Sequence, residues 1–433
     1  MLGLAEIGRA FSSRFLSALQ YSDYRRLWAA TAFSQSSAWA LIIARAALAL
    51  NETGSSSAAG VVTFAAMIPS VVMSPVAGYL ADRFDRRKIL AFAYSVNVGQ
   101  NLILALLVVT GNIELWHLVL LSVVNGSARA TQMPAAQALL PNLIPRNRLL
   151  NGVALHQAVQ QGGKLMGPLL ILPVVLTGHS DWAFVVSSGL YVVGLAMVLR
   201  IRTVSRGEVD RERSAFSNLG QGLSFVYRHH ILLPLFLLVI VHCALTMSYE
   251  TLFPVLSRDR LGLQEGADLY KGGSMLMIGI GAGSLLSSFG LAGIESNRMR
   301  GRTFFVLGVL SGIAPLVMGL STNLAMAVGA AFGVGLAQAG FMTLSSVMVQ
   351  QMVPDHIRGR VMAVYSWHIQ GFMASFNLVN GILADTAWLN ATRILGGMGS
   401  VFTGVMVLSI VRVPLRQIYH RGVSPEATGS VST

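Results

Sequence analysis

Residues 78–90 read GYLADRFDRRKIL, and six of the seven positions from Asp82 to Lys88 are charged. The chain around them is oily: 54% of its 433 residues are hydrophobic and 11% are charged. A long apolar run stands on either side of the stretch. A run of about 20 apolar residues crosses the hydrocarbon core as a helix. The charged stretch therefore reads as a short turn between two membrane spans.

The same pattern recurs along the chain. Twelve spans are expected, over about 26–50, 58–81, 88–110, 115–140, 151–177, 182–200, 231–256, 270–292, 303–320, 322–348, 359–384 and 389–412. Breakers separate them, among them NETGSSS at 51–57, TGN at 110–112, TGHSD at 177–181 and STN at 321–323. The fold class is an all-α integral membrane protein. RIRTVSRGEVDRERSAFSNLGQGLSFVYRHH, 200–230, is a charged linker that divides six spans from six, with a short surface helix expected near 216–228. The expected organisation is an amphipathic segment at 1–24, a six-helix bundle at 25–200, the linker at 201–230, a second bundle at 231–412 and a tail at 413–433. Leu4, Ile7, Phe11, Phe15 and Leu19, with Arg9 and Arg14 among them, give the first segment its interfacial pattern. No cleavable signal peptide precedes the first span.

The net charge of +13 raises nucleic acid as a partner, but the basic residues form no domain. They sit in turns. With the N-terminus cytoplasmic, 24 of the 31 Lys and Arg fall on inner segments, and Arg258, Arg260, Lys271 and Arg393 fall on outer ones. The excess of positive charge inside predicts both termini in the cytoplasm of a plasma (inner) membrane protein. The single cysteine, Cys243, lies in an apolar run and allows no disulfide framework.

The halves share a weak repeat. NLIPRNRLLNGVAL (142–155) aligns with QMVPDHIRGRVMAV (351–364), placing Pro145 on Pro354 and Ala154 on Ala363. A duplicated six-helix unit is a recognised transporter plan.

The loop at 78–88 resembles the signature of the major facilitator superfamily, Gly-x-Leu-Ala-Asp-Arg-x-Gly-Arg-Arg/Lys, with Gly78, Leu80, Ala81, Asp82, Arg83, Arg86 and Arg87 in place and Asp85 where the second glycine is usual. The resemblance covers essentially the whole chain. It implies two six-helix bundles about a central cavity, working by alternating access. It also implies a conformational latch, in which Asp82 meets the start of span eleven near Arg358-Gly359-Arg360. Physically, Gly78 permits close helix approach, and a helix N-terminus favours the Asp82 charge. FPVLSRD, QMPAAQALLPNLIP and YRRLW resemble the branch of enterobactin exporters and related drug efflux pumps.

Charged side chains inside spans are functional candidates by default. Arg129 opens RATQ, which resembles the family's Arg-x-x-Gln-Gly element, with Gln132 in register and Met133 replacing glycine. Lys164 shares a helical face with Gln157 and Gln161. Arg129 and Lys164 facing one cavity would make it basic and suited to an anion, and Arg45 would extend that path. Gly163-x-x-x-Gly167-Pro168 resembles the family's antiporter signature, which implies an interface beside span eight; plain GxxxG packing is the alternative. Glu250 is the intramembrane carboxylate. It is either a proton carrier, the counter-ion of Arg45 or Lys164, or an outer-end residue reaching for the interface. Exporters of cationic drugs in the family the chain resembles often carry an acid in span one; SQSSAW (34–39) has none here, so the resemblance counts against a cationic substrate. His242 and His368 read as packing residues, and Asn377 and Asn380 as packing or cavity-lining groups.

No His/Cys cluster has metal spacing and no catalytic constellation stands out, so neither an enzyme nor a bound cofactor is expected; the proton gradient is the energy source. The expected function is proton-driven export of a small amphipathic molecule, anionic and siderophore- or drug-like, by a monomer whose partners are that substrate and the bilayer. A lysolipid or lipid transporter of the same fold, and a non-transporting membrane receptor or assembly factor, are the rivals.

Overall fold

The apolar runs fold as helices joined by short turns. The computed structural model describes residues 16–179, 181–205, 215–263, 266–292, 294, 296–386 and 388–422, with the backbone path alone at 74–75, 78–79, 81–82, 150, 215–218, 292, 355–356 and 421. The amphipathic pattern at 1–15 and the tail beyond 422 lie outside these residues. The first half comprises α1 (Ser22–Thr53), α2 (Ser56–Arg83), α3 (Arg86–Val109), α4 (Leu115–Leu139), α5 (Leu149–Leu176) and α6 (Trp182–Leu199). The linker helix α7 (Ala215–Arg228) follows. The second half comprises α8 (Leu232–Thr246), α9 (Leu252–Asp259), α10 (Ala267–Ala292), α11 (Asn297–Leu320), α12 (Leu324–Met352), α13 (Asp355–Ala384), α14 (Ala391–Leu408) and the short α15 (Val413–Arg421).

Among the described residues nine helices are long and apolar enough to cross a membrane. The other three expected spans are α4, the broken pair α8 and α9, and α13. They fall short for a chemical reason. α4 carries Asn125, Arg129 and Gln132, α13 carries His368, Asn377 and Asn380, and span seven is interrupted at Glu250. The linker helix meets α8 at a bend of 108°, so it runs across the end of the molecule before the chain turns along span seven.

Local chemistry sets the helix ends. α1 stops at Gly54, whose φ of 67° is a left-handed position that suits glycine. Asp85, which stands where the family pattern has a second glycine, caps α3: its side chain accepts the Arg87 N–H at 3.0 Å.

The end bearing the linker can be distinguished from the far end, where α1 passes into α2. At the far end the halves are sealed together. The Arg258 guanidinium donates to the Gly54 carbonyl at 3.1 Å, and the Gly266 N–H donates to Asn51 Oδ1 at 3.0 Å. Gly60 of α2 and Gly381 of α13 meet backbone to backbone, and a methyl on either would press into the partner helix. The Phe184 and Tyr270 rings meet edge to face with centroids 6.4 Å apart. A continuous apolar core joins α1 and α6 to α9 and α10 here.

Candidate substrate site

Span seven breaks at Met247-Ser248-Tyr249-Glu250-Thr251, between α8 and α9. A break inside a membrane helix frees backbone groups that only protein can satisfy. Side chains from two neighbouring helices do so. Gln338 of α12 donates to the Thr246 carbonyl, and Asn380 of α13 donates to the Ser248 carbonyl. Asn377 Oδ1 accepts the Thr251 N–H at 3.2 Å and the Thr251 hydroxyl at 3.1 Å. The Ser248 hydroxyl donates to the Cys243 carbonyl at 2.9 Å. Gln338, Asn377 and Asn380 are all buried, so this polar lacing is internal to the second half.

The lacing also positions Glu250. Its side chain is buried, and Oε2 accepts from Asn377 Nδ2 at 2.9 Å. Lys164 of α5 comes from the other half. Its Nζ lies 4.8 Å from the centre of the Trp39 ring of α1, in cation–π geometry. Lys164 and Glu250 act on each other's charge across the interface without ion-pair contact. One protonatable acid, one cation and one aromatic face thus converge where α1, α5 and the break in span seven meet. Gln161 is half-buried and Gln157 exposed on the same face of α5 as Lys164.

The other sequence candidates fall elsewhere. Arg45 is enclosed within the first half, where its Nη2 donates to Gln100 Oε1 at 3.0 Å and Asn101 Oδ1 at 3.1 Å of α3. Glu250 lies within electrostatic reach of Lys164. Arg129 is half-buried on α4, within electrostatic reach of Arg45 and Tyr191, and Gln132 is buried below it. Two clusters result: Lys164 with Trp39 and Glu250 at the interface, and Arg45 with Arg129 inside the first half.

The glycines of α5 have a different neighbour from the one the antiporter resemblance implies. A methyl at Gly163 would press on Gln35, and one at Gly167 would overlap the Ser36 carbonyl; both belong to α1, not to span eight. Positions four apart share a helix face, so Gly163 and Gly167 serve one neighbour together. Leu165, between them, faces the other way, and α10 approaches its backbone through Gly281. Gly279 and Gly283 turn instead toward Val328 and Phe332 of α12.

At Gly78 and Asp82, on which the latch expectation rests, the structure describes the backbone path alone. The motif's arginines hold the start of the linker. Arg86 donates to the Ala138 carbonyl at 2.9 Å and to Ser205 Oγ at 3.1 Å, and its N–H donates to the Ser205 carbonyl at 2.9 Å. Arg87 donates to the Ile201 and Arg202 carbonyls at 3.2 and 3.3 Å. Asp23 Oδ2 accepts from the Arg202 and Thr203 N–H groups and the Thr203 hydroxyl. Farther along, α7 lies on the start of α13, with Gly222 against the Arg360 carbonyl and Gln221 accepting from Arg360.

Two sets of apolar helices, a broken span and a buried acid within electrostatic reach of a cation are the architecture of a membrane transporter, and its relatives place the chain in the major facilitator superfamily. Solved structures share this architecture: a peptide transporter POT with sulfate bound superposes with a TM-score of 0.70 at 13% identity, over 93% of this chain and 96% of that one. The family model described as transmembrane secretion effector, within the same superfamily, matches residues 13–426, and the chain belongs to that family. Among curated relatives, the multidrug efflux pump Tap of Mycolicibacterium fortuitum is 24% identical over 86% of this chain and 91% of its own length. The staphyloferrin A transporter of Staphylococcus aureus is 22% identical over 79% of this chain and 84% of its own.

Proposed function

We propose that this chain exports a small amphipathic organic anion across the plasma membrane by alternating access, driven by protons, with both termini and the linker end in the cytoplasm. The observation that carries the reading is the placement of Lys164 on Trp39 with Glu250 opposite. An amphipathic anion finds there an aromatic surface for its apolar part and an ammonium for its charge. Inward proton flow drives export only when proton and substrate occupy the carrier on opposite strokes, and Glu250 is the group that takes the proton on the return stroke, after the anion has left. The sealed far end is what alternating access requires when the site faces the linker side, and the two halves rock about the interface. One relative is named a multidrug efflux pump and another a staphyloferrin A transporter, and the first name favours export.

Thermal stabilisation of the purified protein tests the reading. A ligand that binds the folded state alone raises the melting temperature. Catecholate and carboxylate amphiphiles are expected to stabilise wild type and to lose the effect in Lys164→Ala. Stabilisation by lipophilic cations alone, unchanged in that variant, would overturn the assignment.

A further inference from the structure

The buried guanidinium of Arg45 has no role in the transport cycle above. It is 2% exposed. Its two recorded partners, Gln100 Oε1 and Asn101 Oδ1, are neutral. The titratable groups close enough to act on it are the Tyr191 phenol and the like-charged Arg129, with no carboxylate among them. A buried charge is ordinarily paired.

The groups around it are donors in excess. Arg45 Nε, Asn101 Nδ2 and Asn97 Nδ2 are buried and without a hydrogen-bond partner. Asn97 and Asn101 stand one turn apart on the same face of α3. Both amides are fixed in orientation: Asn101 Oδ1 accepts from Arg45, and Asn97 Oδ1 accepts from Asn125 Nδ2 at 2.7 Å. The NH2 groups are therefore held with nothing to donate to. Unpaired buried donors are uncommon in native proteins. Here one belongs to the cation itself and two to neighbouring turns of α3, of which Asn101 is tied directly to Arg45.

We infer that the first half holds a small monovalent inorganic anion, of the halide class, between Arg45, Asn97 and Asn101. A water molecule would accept from the N–H groups but leave the arginine charge uncompensated. An anion answers both. The site is closed, with Asn97 0%, Asn101 1% and Gln100 3% exposed, so an organic anion does not fit and the ion is distinct from the transported substrate. Bound there, it ties α1 to α3 and screens Arg45 from Arg129.

Melting temperature under anion exchange tests this without a variant. Wild-type protein is purified in sodium chloride and exchanged into sodium gluconate or sodium bromide at equal ionic strength. Gluconate is expected to lower the melting temperature by several degrees and bromide to hold it near the chloride value. The halide effect is expected to vanish in Arg45→Gln and to survive in Lys164→Ala, which separates this site from the substrate site. Equal melting temperatures in all three salts, or a halide effect that persists in Arg45→Gln, would overturn it. Should Arg45→Gln not fold, crystals grown in bromide decide: an anomalous peak among Arg45, Asn97 and Asn101 supports the site, and its absence there refutes it.

Discussion

Asp385 Oδ1 accepts the backbone N–H of Ser56 at 2.6 Å, joining the end of α13 in the second half to the beginning of α2 in the first. Its other oxygen accepts the Ser57 N–H at 2.8 Å and the Ser55 hydroxyl at 2.6 Å. The first N–H groups of a helix have no partner within it, and the helix dipole favours an anion there. One carboxylate thus caps a helix of the opposite half, and the cap exists only while the far end is closed.

Removing this cap is expected to loosen the far end. Loss of an N-cap costs about 1 kcal/mol, roughly a five-fold shift between closed and open forms. In Asp385→Ala, spin labels at the exposed positions Thr53 and Trp388 should report a larger long-distance population than in wild type. The Asp385 cap itself should not respond to ordinary pH. Partial burial raises the Asp385 carboxyl, but the hydrogen bonds from Ser55, Ser56 and Ser57 outweigh it and hold the pKa at about 2. A depressed carboxylate contributes fully above its unfolded value and loses that contribution only as pH falls toward the folded one. The effect of Asp385→Ala on the label distances should therefore be the same at pH 5.5 and 7.5; an effect that differs between them would show that Asp385 titrates there.

Asn377 should be the least replaceable neutral residue in span eleven. It serves Thr251 twice, Glu250 once and the Met373 carbonyl at 3.0 Å, all buried. Asn377→Leu keeps the volume and leaves several of these groups unpaired, at about 1–3 kcal/mol for each unsatisfied group. The expected outcome is a fall in melting temperature larger than for Gln350→Ala, an exposed side chain at the end of α12.

The start of the linker should be released by Asp23→Ala. That carboxylate takes three donors from Arg202 and Thr203, while Arg87 holds the carbonyl side of the same segment. Limited proteolysis near 200–205 should quicken in the variant, while the melting temperature falls by no more than a few degrees. Unchanged cleavage would mean that Arg86 and Arg87 suffice.

The all-helical membrane architecture was legible because hydrocarbon imposes a length and a composition that survive in the raw sequence. Lys164 and Glu250 were legible for the complementary reason: a charge within an apolar run stands out. Their meeting was not, because it depends on how two halves rotate against one another, and no spacing encodes that. Trp39 was missed because an aromatic residue in a membrane helix looks like packing until a cation is placed above it. The break in span seven carries neither proline nor glycine; its signal lies on other helices, in Asn377 and Asn380, read as packing or cavity-lining groups, and in Gln338, which the sequence reading passed over. Asp385 was visible as an acid at a span end. Its partner, the serine run at 55–57, lies more than 300 residues away.

Glu250 gives the sharpest test of coupling. A carboxylate that carries a proton must change charge during the cycle, and Gln keeps its shape and its acceptor for Asn377 without that change. In Glu250→Gln, substrate efflux into proteoliposomes or inverted vesicles should lose its dependence on an imposed pH gradient, while substrate exchange at equal pH continues. Lys164→Ala should weaken binding of the anion by about ten-fold. If Glu250→Gln retains gradient-driven efflux at the wild-type rate, the proton travels by another group and the carboxylate serves only to hold the break in span seven.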